Sequence, residues 1–200
     1  MISPVSTPSH PPARLYDRFR RPLPPRAVAA TAPPPDGGMR PFTPDELEWA
    51  WEAWCAQSPV LADALLVLAR TGLRWAELRA LRVGDVDADV ESALVARSAP
   101  EPEPAGPLSP DRVRRVPLAP RIRGAVAREV AGRDADELLF TTALGEQLNR
   151  TPVLSRVRWS QTARGRRLTD LRHTAASLWL AEGVDAATVR HWLGERRLAA

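Results

Sequence analysis

Residues 65–87 read LLVLARTGLRWAELRALRVGDVD. The apolar run from Ala64 to Ala69 belongs to a helix that opens at Ser58-Pro59 and carries Leu61, Leu65 and Leu68 on one face. Thr71-Gly72 ends that helix, since glycine takes the left-handed conformation that closes a helix at little steric cost. Leu73 to Arg82 reads as the next helix. Arg74 then stands at a helix start just after a glycine turn, where unpaired backbone N–H groups favour an anion. Glu77 lies three residues on, on the same face. It can orient the Arg74 guanidinium or form an ordinary surface ion pair with it.

The flanks give the rest of the domain. Thr43-Pro-Asp-Glu46 is a capping box with proline at the first helical position, and Leu47, Trp51 and Trp54 follow on one face. Ser92 to Arg97 and Val113 to Leu118 read as two strands joined by the loop SAPEPEPAGPLSPD. Pro120 to Ala131 is helical, and Thr151-Pro152 starts a helix that reaches about Trp159. Leu168 to Glu182 places Leu171, Ala175 and Leu178 on one face and stops at Gly183. Asp185 caps a last helix, which runs to Leu193 and stops at Gly194. The class is α+β, mainly α, with a small antiparallel sheet and no internal repeat.

Residues 1–40 differ in kind. Twelve of the 21 prolines fall in residues 1–44, and the stretch has no periodicity and few large apolar residues. It reads as a proline-rich, disordered tail ahead of a domain over residues 41–200. Its Arg18, Arg20, Arg21 and Arg26 read as part of a solvated linker, the alternative being contact with nucleic acid.

Composition narrows the function. The chain has 200 residues, 44% apolar and 26% charged, a globular mix. No apolar run is long enough to span a bilayer, and no signal peptide is visible, so the reading is cytoplasmic with no membrane partner. One cysteine excludes an intrachain disulfide, and with three histidines it excludes most structural zinc sites; no metal is expected. All 28 basic residues are arginine. Residues 41–111 hold five arginines against thirteen acids, whereas residues 112–200 hold seventeen against nine. A basic second half suggests an anionic partner.

Two stretches carry a family resemblance: residues 65–87, and LTDLRHTAASLWLAEGVDAATVRHWLGE at 168–195. They resemble the two signature boxes of the tyrosine recombinase (phage integrase) family. The first is matched by Thr71, Gly72, Arg74, Glu77, Leu78, Leu81 and Asp85. The second is matched by Leu171, Arg172, His173 and Thr174, then the Glu182-Gly183-Val184 turn, then Leu193-Gly194. RRVPL at 114–118 and the opening at Pro41 to Glu46 are similar to two further family segments. The resemblance implies the recombinase catalytic fold and a role in DNA recombination and integration on double-stranded DNA, with other recombinase protomers as possible partners and no cofactor. It makes Arg74 and Arg172 the pair that clamps a phosphate bidentately, with Glu77 beside them. They must converge although they lie 98 residues apart. His173 reads as structural and His191 as exposed.

The departures from the family pattern bear on activity. The hairpin lysine falls near Ser109, and the chain has no lysine; Arg112 nearby is a poor proton donor. Thr169 and Glu195 stand where the pattern has histidines, and the only tyrosine is Tyr16. The expectation is a truncated, inactive remnant of a mobile-element integrase. Two alternatives are a non-catalytic DNA-binding regulatory module and a helical interaction domain with no DNA role. Residues 150–172 hold seven arginines against one acid, Asp170. Arg150, Arg156, Arg158, Arg164, Arg166 and Arg167 are therefore the expected DNA contacts, and Asp85, Asp87, Asp89 and Glu91 are expected to face away from the duplex.

Overall fold

The structure is a computed structural model that describes residues 38–195. The proline-rich tail up to residue 37, with Tyr16 and its arginines, lies outside the described residues.

Eight α-helices and four short strands follow in order among the described residues. Helix α1 (Pro44–Cys55) has the capping box in full: Glu46 N–H donates to Thr43 Oγ1 at 3.3 Å, and Thr43 N–H donates to Glu46 Oε2 at 3.0 Å. Helix α2 (Pro59–Thr71) is the centre of the domain. It is buried nearly all round, from Ala62 to Ala69, because α1, α4 (Pro120–Val130) and α7 (Asp170–Ala181) pack on it from different sides. Burying leucines 65, 66 and 68 contributes about 1.5–3 kcal/mol each. Gly72 closes α2 with φ +62°, as the sequence predicts.

The predicted helix from Leu73 to Arg82 is much shorter. Only Trp75–Leu78 (α3) is α-helical. The chain then leaves the helix to pair at long range: Val83 N–H donates to Glu137 O and Gly84 N–H to Ala135 O, both at 2.9 Å. Strand β1 (Ser92–Val95) pairs antiparallel with β4 (Arg114–Pro117), in the register Ser92 with Pro117 and Val95 with Arg114. The first predicted strand ends early, because Arg97–Ser98 (β2) turns away to pair with Gly106–Pro107 (β3). The sheet is thus two separate two-stranded ribbons.

The helix predicted from Thr151 to Trp159 is also divided. Helix α5 (Arg150–Arg156) stops, Arg158 takes a left-handed turn at φ +53°, and α6 (Trp159–Thr162) follows. The turn lets Trp159 stack on Trp54 with ring centroids 5.5 Å apart and planes 13° apart. Trp54 is fully buried, and its indole N–H donates to Thr162 Oγ1 at 2.9 Å. Helix α7 buries Leu171, Ala175 and Leu178 as predicted, and Asp185 caps α8 (Ala186–Leu193) through two backbone N–H groups at 3.0 Å.

Candidate phosphate site and nucleic-acid interface

The residues at the ends of α2, α7 and α8 meet around the Gly72 turn. Arg74 is the N-cap of α3. Its N–H donates to Glu77 Oε2 at 2.8 Å, and its Nη1 donates to Glu77 Oε1 at 3.1 Å. One carboxylate therefore caps the helix and fixes the guanidinium at once. Glu77 is 1% exposed, so this is no surface ion pair.

The cation that makes such burial tolerable is Arg114 of β4. Its Nη2 donates to Glu77 Oε2 at 2.9 Å and its Nη1 to Oε1 at 3.2 Å, a bidentate pair away from water. Burial by itself raises the Glu77 pKa. Arg114, through hydrogen bonds and charge, and then Arg74 more than reverse this and hold the carboxyl below its ordinary value.

Arg172 reaches the same place from α7. Its Nη1 donates to the Gly72 carbonyl at 2.6 Å, two residues before Arg74, and its Nη2 donates to the Leu193 carbonyl at 2.6 Å. Burial first, and the Arg74 charge next, bring its pKa down from its ordinary value to about 10. The site thus gathers like charge: Arg74 and Arg172 repel each other through a partly dry space, an arrangement that an anion between them would relieve.

Gly72 is the pivot of this arrangement. A Cβ there would lie 2.6 Å from Leu193 Cδ2, on a backbone with φ +62°. Gly72→Ala is expected to cost about 1–3 kcal/mol, from left-handed strain and overpacking against α8. Urea unfolding measures it; a loss within about 0.5 kcal/mol, the ordinary scatter for a neutral surface change, would show that α8 is not seated on this turn.

The model of the phage integrase family matches residues 41–199. The chain belongs to the phage integrase family. Similar solved structures include the Tn1549 transposon integrase (residues 82–397) in complex with circular intermediate DNA, at 18% identity and TM-score 0.65, covering 79% of this chain and 59% of that one. XerA recombinase is 22% identical, with TM-score 0.62 and coverage of 83% and 58%. A lambda integrase tetramer bound to a Holliday junction is 15% identical, with TM-score 0.59 and coverage of 79% and 47%. At these identities the likeness establishes the fold. The chain spans a little under three fifths of the Tn1549 integrase and XerA chains and about half of the lambda integrase chain. No curated protein matches it.

Within this phage-integrase fold the six expected DNA-contact arginines separate into two groups. Arg150, Arg156, Arg158 and Arg167 are exposed. The Arg150 N–H donates to Glu101 Oε1 at 2.7 Å. Arg167 is 57% exposed and sits 3.6 Å from Asp170 Oδ1. Arg164 is half-buried, with its guanidinium over the Trp49 ring at 4.4 Å and 3.9 Å from Glu46. Arg166 differs from expectation. It is buried, donates to Glu46 Oε2 at 2.6 Å and to the Arg40 carbonyl at 3.0 Å, and lies over Phe42 at 4.3 Å. Its Nη2 also donates to the Pro41 carbonyl at 3.3 Å. The guanidinium is a tie inside the domain, so the basic run RGRR does not present all its charges outward.

Three of the four acids at 85–91 are also occupied, and Asp89 is exposed. Asp85 takes Arg97 Nη2 at 2.5 and 2.6 Å, Asp87 accepts from Ser92 Oγ at 2.6 Å, and Glu91 pairs with Arg123 at 2.9 Å. His173 is half-buried and His191 exposed.

Sequence reasoning missed Arg114 and Arg79. The signal for Arg114 was strand alternation: Arg114 and Val116 share the inward face of β4, while Arg115 points out. Arg79 is buried, with its guanidinium donating to the Leu148 and Ala99 carbonyls and to Gln147 and Asn149. Nothing in its local sequence marks it. Among the described residues no group of three or more His, Cys, Asp or Glu side chains could hold a metal, and no helix is long and apolar enough to cross a membrane.

Proposed function

We propose that this chain is a DNA-phosphate-binding domain acting in DNA recombination and integration, and that alone it forms no covalent strand-transfer intermediate. One observation carries the reading: Arg74 and Arg172, brought from 98 residues apart, meet at the Gly72 turn of a phage-integrase fold. Two planar, permanently charged guanidiniums in a partly dry site suit the non-bridging oxygens of a phosphodiester. Glu77 and Arg114 act as positioning residues that hold Arg74 in place. Arg150, Arg156, Arg158, Arg164 and Arg167 supply further cations for neighbouring phosphates of double-stranded DNA. The DNA complexes of the Tn1549 and lambda integrases support this partner, and the lambda tetramer supports other recombinase protomers as a second.

The groups within the matched residues support the inactive part of this reading. Strand transfer by this family's chemistry needs a tyrosine nucleophile and proton carriers for the bridging oxygens. The sequence has no lysine, and its one tyrosine, Tyr16, lies outside the matched residues. Thr169 is exposed and lacks a titratable proton, and Glu195 carries negative charge toward the phosphate position. Nicked suicide substrates incubated with the chain are expected to yield no protein–DNA adduct on denaturing gels. An adduct mapped to any residue of this chain would overturn the inactive reading while leaving DNA binding intact.

A further inference from the structure

Helix α8 ends directly over the arginine cluster. Its last two carbonyls are both engaged: Trp192 O accepts from Arg114 Nε at 2.6 Å, and Leu193 O accepts from Arg172 Nη2 at 2.6 Å. The chain then turns through Gly194 at φ +64°, where a Cβ would sit 2.9 Å from the Arg114 guanidinium carbon. The turn therefore lies flat on that guanidinium, and only glycine fits it. It delivers the next residue, Glu195, to the cluster. The Glu195 N–H is fastened to the Arg190 carbonyl at 3.1 Å, and its Oε1 lies 3.4 Å from Arg172 Nη2.

The donors of Arg172 show what this means. Nη1 is taken by the Gly72 carbonyl, and Nη2 by the Leu193 carbonyl and by Glu195. The two carbonyls come from backbone locked in the fold. Glu195 is the one side-chain acceptor of the three: it is 48% exposed, against 14% for Arg172, and its contact is the longest. A carboxylate offers the same kind of oxygen to guanidinium as a phosphate does. Glu77, the other acid of the cluster, is already matched by Arg114 and Arg74.

We propose that Glu195 is a resident carboxylate ligand of Arg172, which a DNA phosphate must displace to reach the guanidinium. This rests on the reading of Arg172 as a phosphate-binding residue. The same contact offsets part of the cost of holding Arg172 half-dry beside Arg74, since the Glu195 charge is among those that raise the Arg172 pKa. The site is thereby partly neutralised at rest, and its affinity for an oxyanion is tuned by this one exposed side chain.

The test compares the full chain with Glu195→Gln, Arg172→Ala and the double variant, using two probes. Binding of a fluorescent DNA duplex is measured by anisotropy, and the rise in Tm on adding inorganic phosphate is measured by thermal unfolding. Glu195→Gln is expected to tighten duplex binding roughly three- to tenfold and to enlarge the phosphate-induced rise in Tm. In the Arg172→Ala background the same change is expected to gain little, because the coupling passes through Arg172. An equal gain with and without Arg172 overturns the proposal, since it would reflect general charge alone. No gain from Glu195→Gln, while the parent binds duplex, overturns it and leaves the DNA reading standing. A larger phosphate response without duplex binding supports the carboxylate ligand and removes the DNA reading. No response of any variant to either probe removes both.

Discussion

Replacing Glu77 with alanine is expected to destabilise the chain by about 3–5 kcal/mol, the loss typical when one partner of a buried ion pair is removed. Glu77 and the Arg114 side chain are 1% and 2% exposed, so the orphaned guanidinium has no water to turn to. Arg74 N–H loses its cap in the same step. The midpoint of urea unfolding measures the effect. Replacing both partners together, Glu77→Leu with Arg114→Met, is expected to cost clearly less than Glu77→Ala, because no charge is stranded. A single-variant loss under about 1 kcal/mol would mean that the pair is as weak as an exposed one. The pH dependence has a definite sign. An unfolded glutamate takes up its proton near 4.5, and the native Glu77 holds its charge to lower pH. The stabilisation is therefore whole above about pH 4.5 and is lost as the pH falls through the lower native value. Acid unfolding is expected to be steeper in the parent than in the doubly replaced chain.

Replacing Arg156, Arg158 and Arg167 together with alanine is expected to weaken duplex binding by roughly 10- to 100-fold at moderate salt. Each phosphate that a cation neutralises releases counterion, with a slope near −0.9 in log affinity against log salt. Losing three contacts flattens the slope by about two to three units. These three are exposed, unlike Arg166, and Arg156 and Arg158 have no acid paired to them among the described residues. The contrast with Arg166 is itself informative. Arg166→Ala removes Glu46's short contact and two carbonyl bonds, so its main effect is expected on unfolding midpoint, with the salt slope unchanged. Unchanged affinity and slope in the triple variant would make this face an ordinary solvated surface and favour an interaction domain with no DNA role.

The parts of the fold that were legible in sequence are those with punctuation. Thr43 with Glu46, Ser58-Pro59 with Gly72, and Asp185 with Gly194 bracket α1, α2 and α8, since caps and glycine stops act locally. What failed was set by distant partners. The helical pattern of Leu73 to Arg82 was real, but backbone groups at 83 and 84 bind the 135–137 segment, and that competition ends the helix at Leu78. The break at Arg158 is set by Trp159, which must turn to stack on Trp54 from another helix. The site divides in the same way. Arg74, Glu77 and Arg172 stand in motifs with fixed spacing, and the fold brings them to one turn. Arg166 looked like its neighbours in a basic run. Only the packing of Phe42 and Glu46, 120 or more residues away, distinguishes it.

Ahead of its local capping box, the entry into α1 is fastened by late sequence. Phe42 N–H donates to Thr174 Oγ1 at 2.9 Å, and Arg166 binds the carbonyls of residues 40 and 41, contacts that close loops of 125 to 132 residues. A nascent chain emerging in order cannot make these bonds until α7 has been synthesised. The first helices must wait, with Trp54 lacking both Thr162 and its stacking partner. Such high contact order predicts slow, late consolidation of the folded state. It also predicts that a fragment ending before residue 150 stays unfolded, and that adding residues 150–195 as a separate peptide restores structure to it. All of these contacts join residues on opposite sides of the largely exposed 131–137 segment, so two halves made apart by a cut there are expected to reassemble through them.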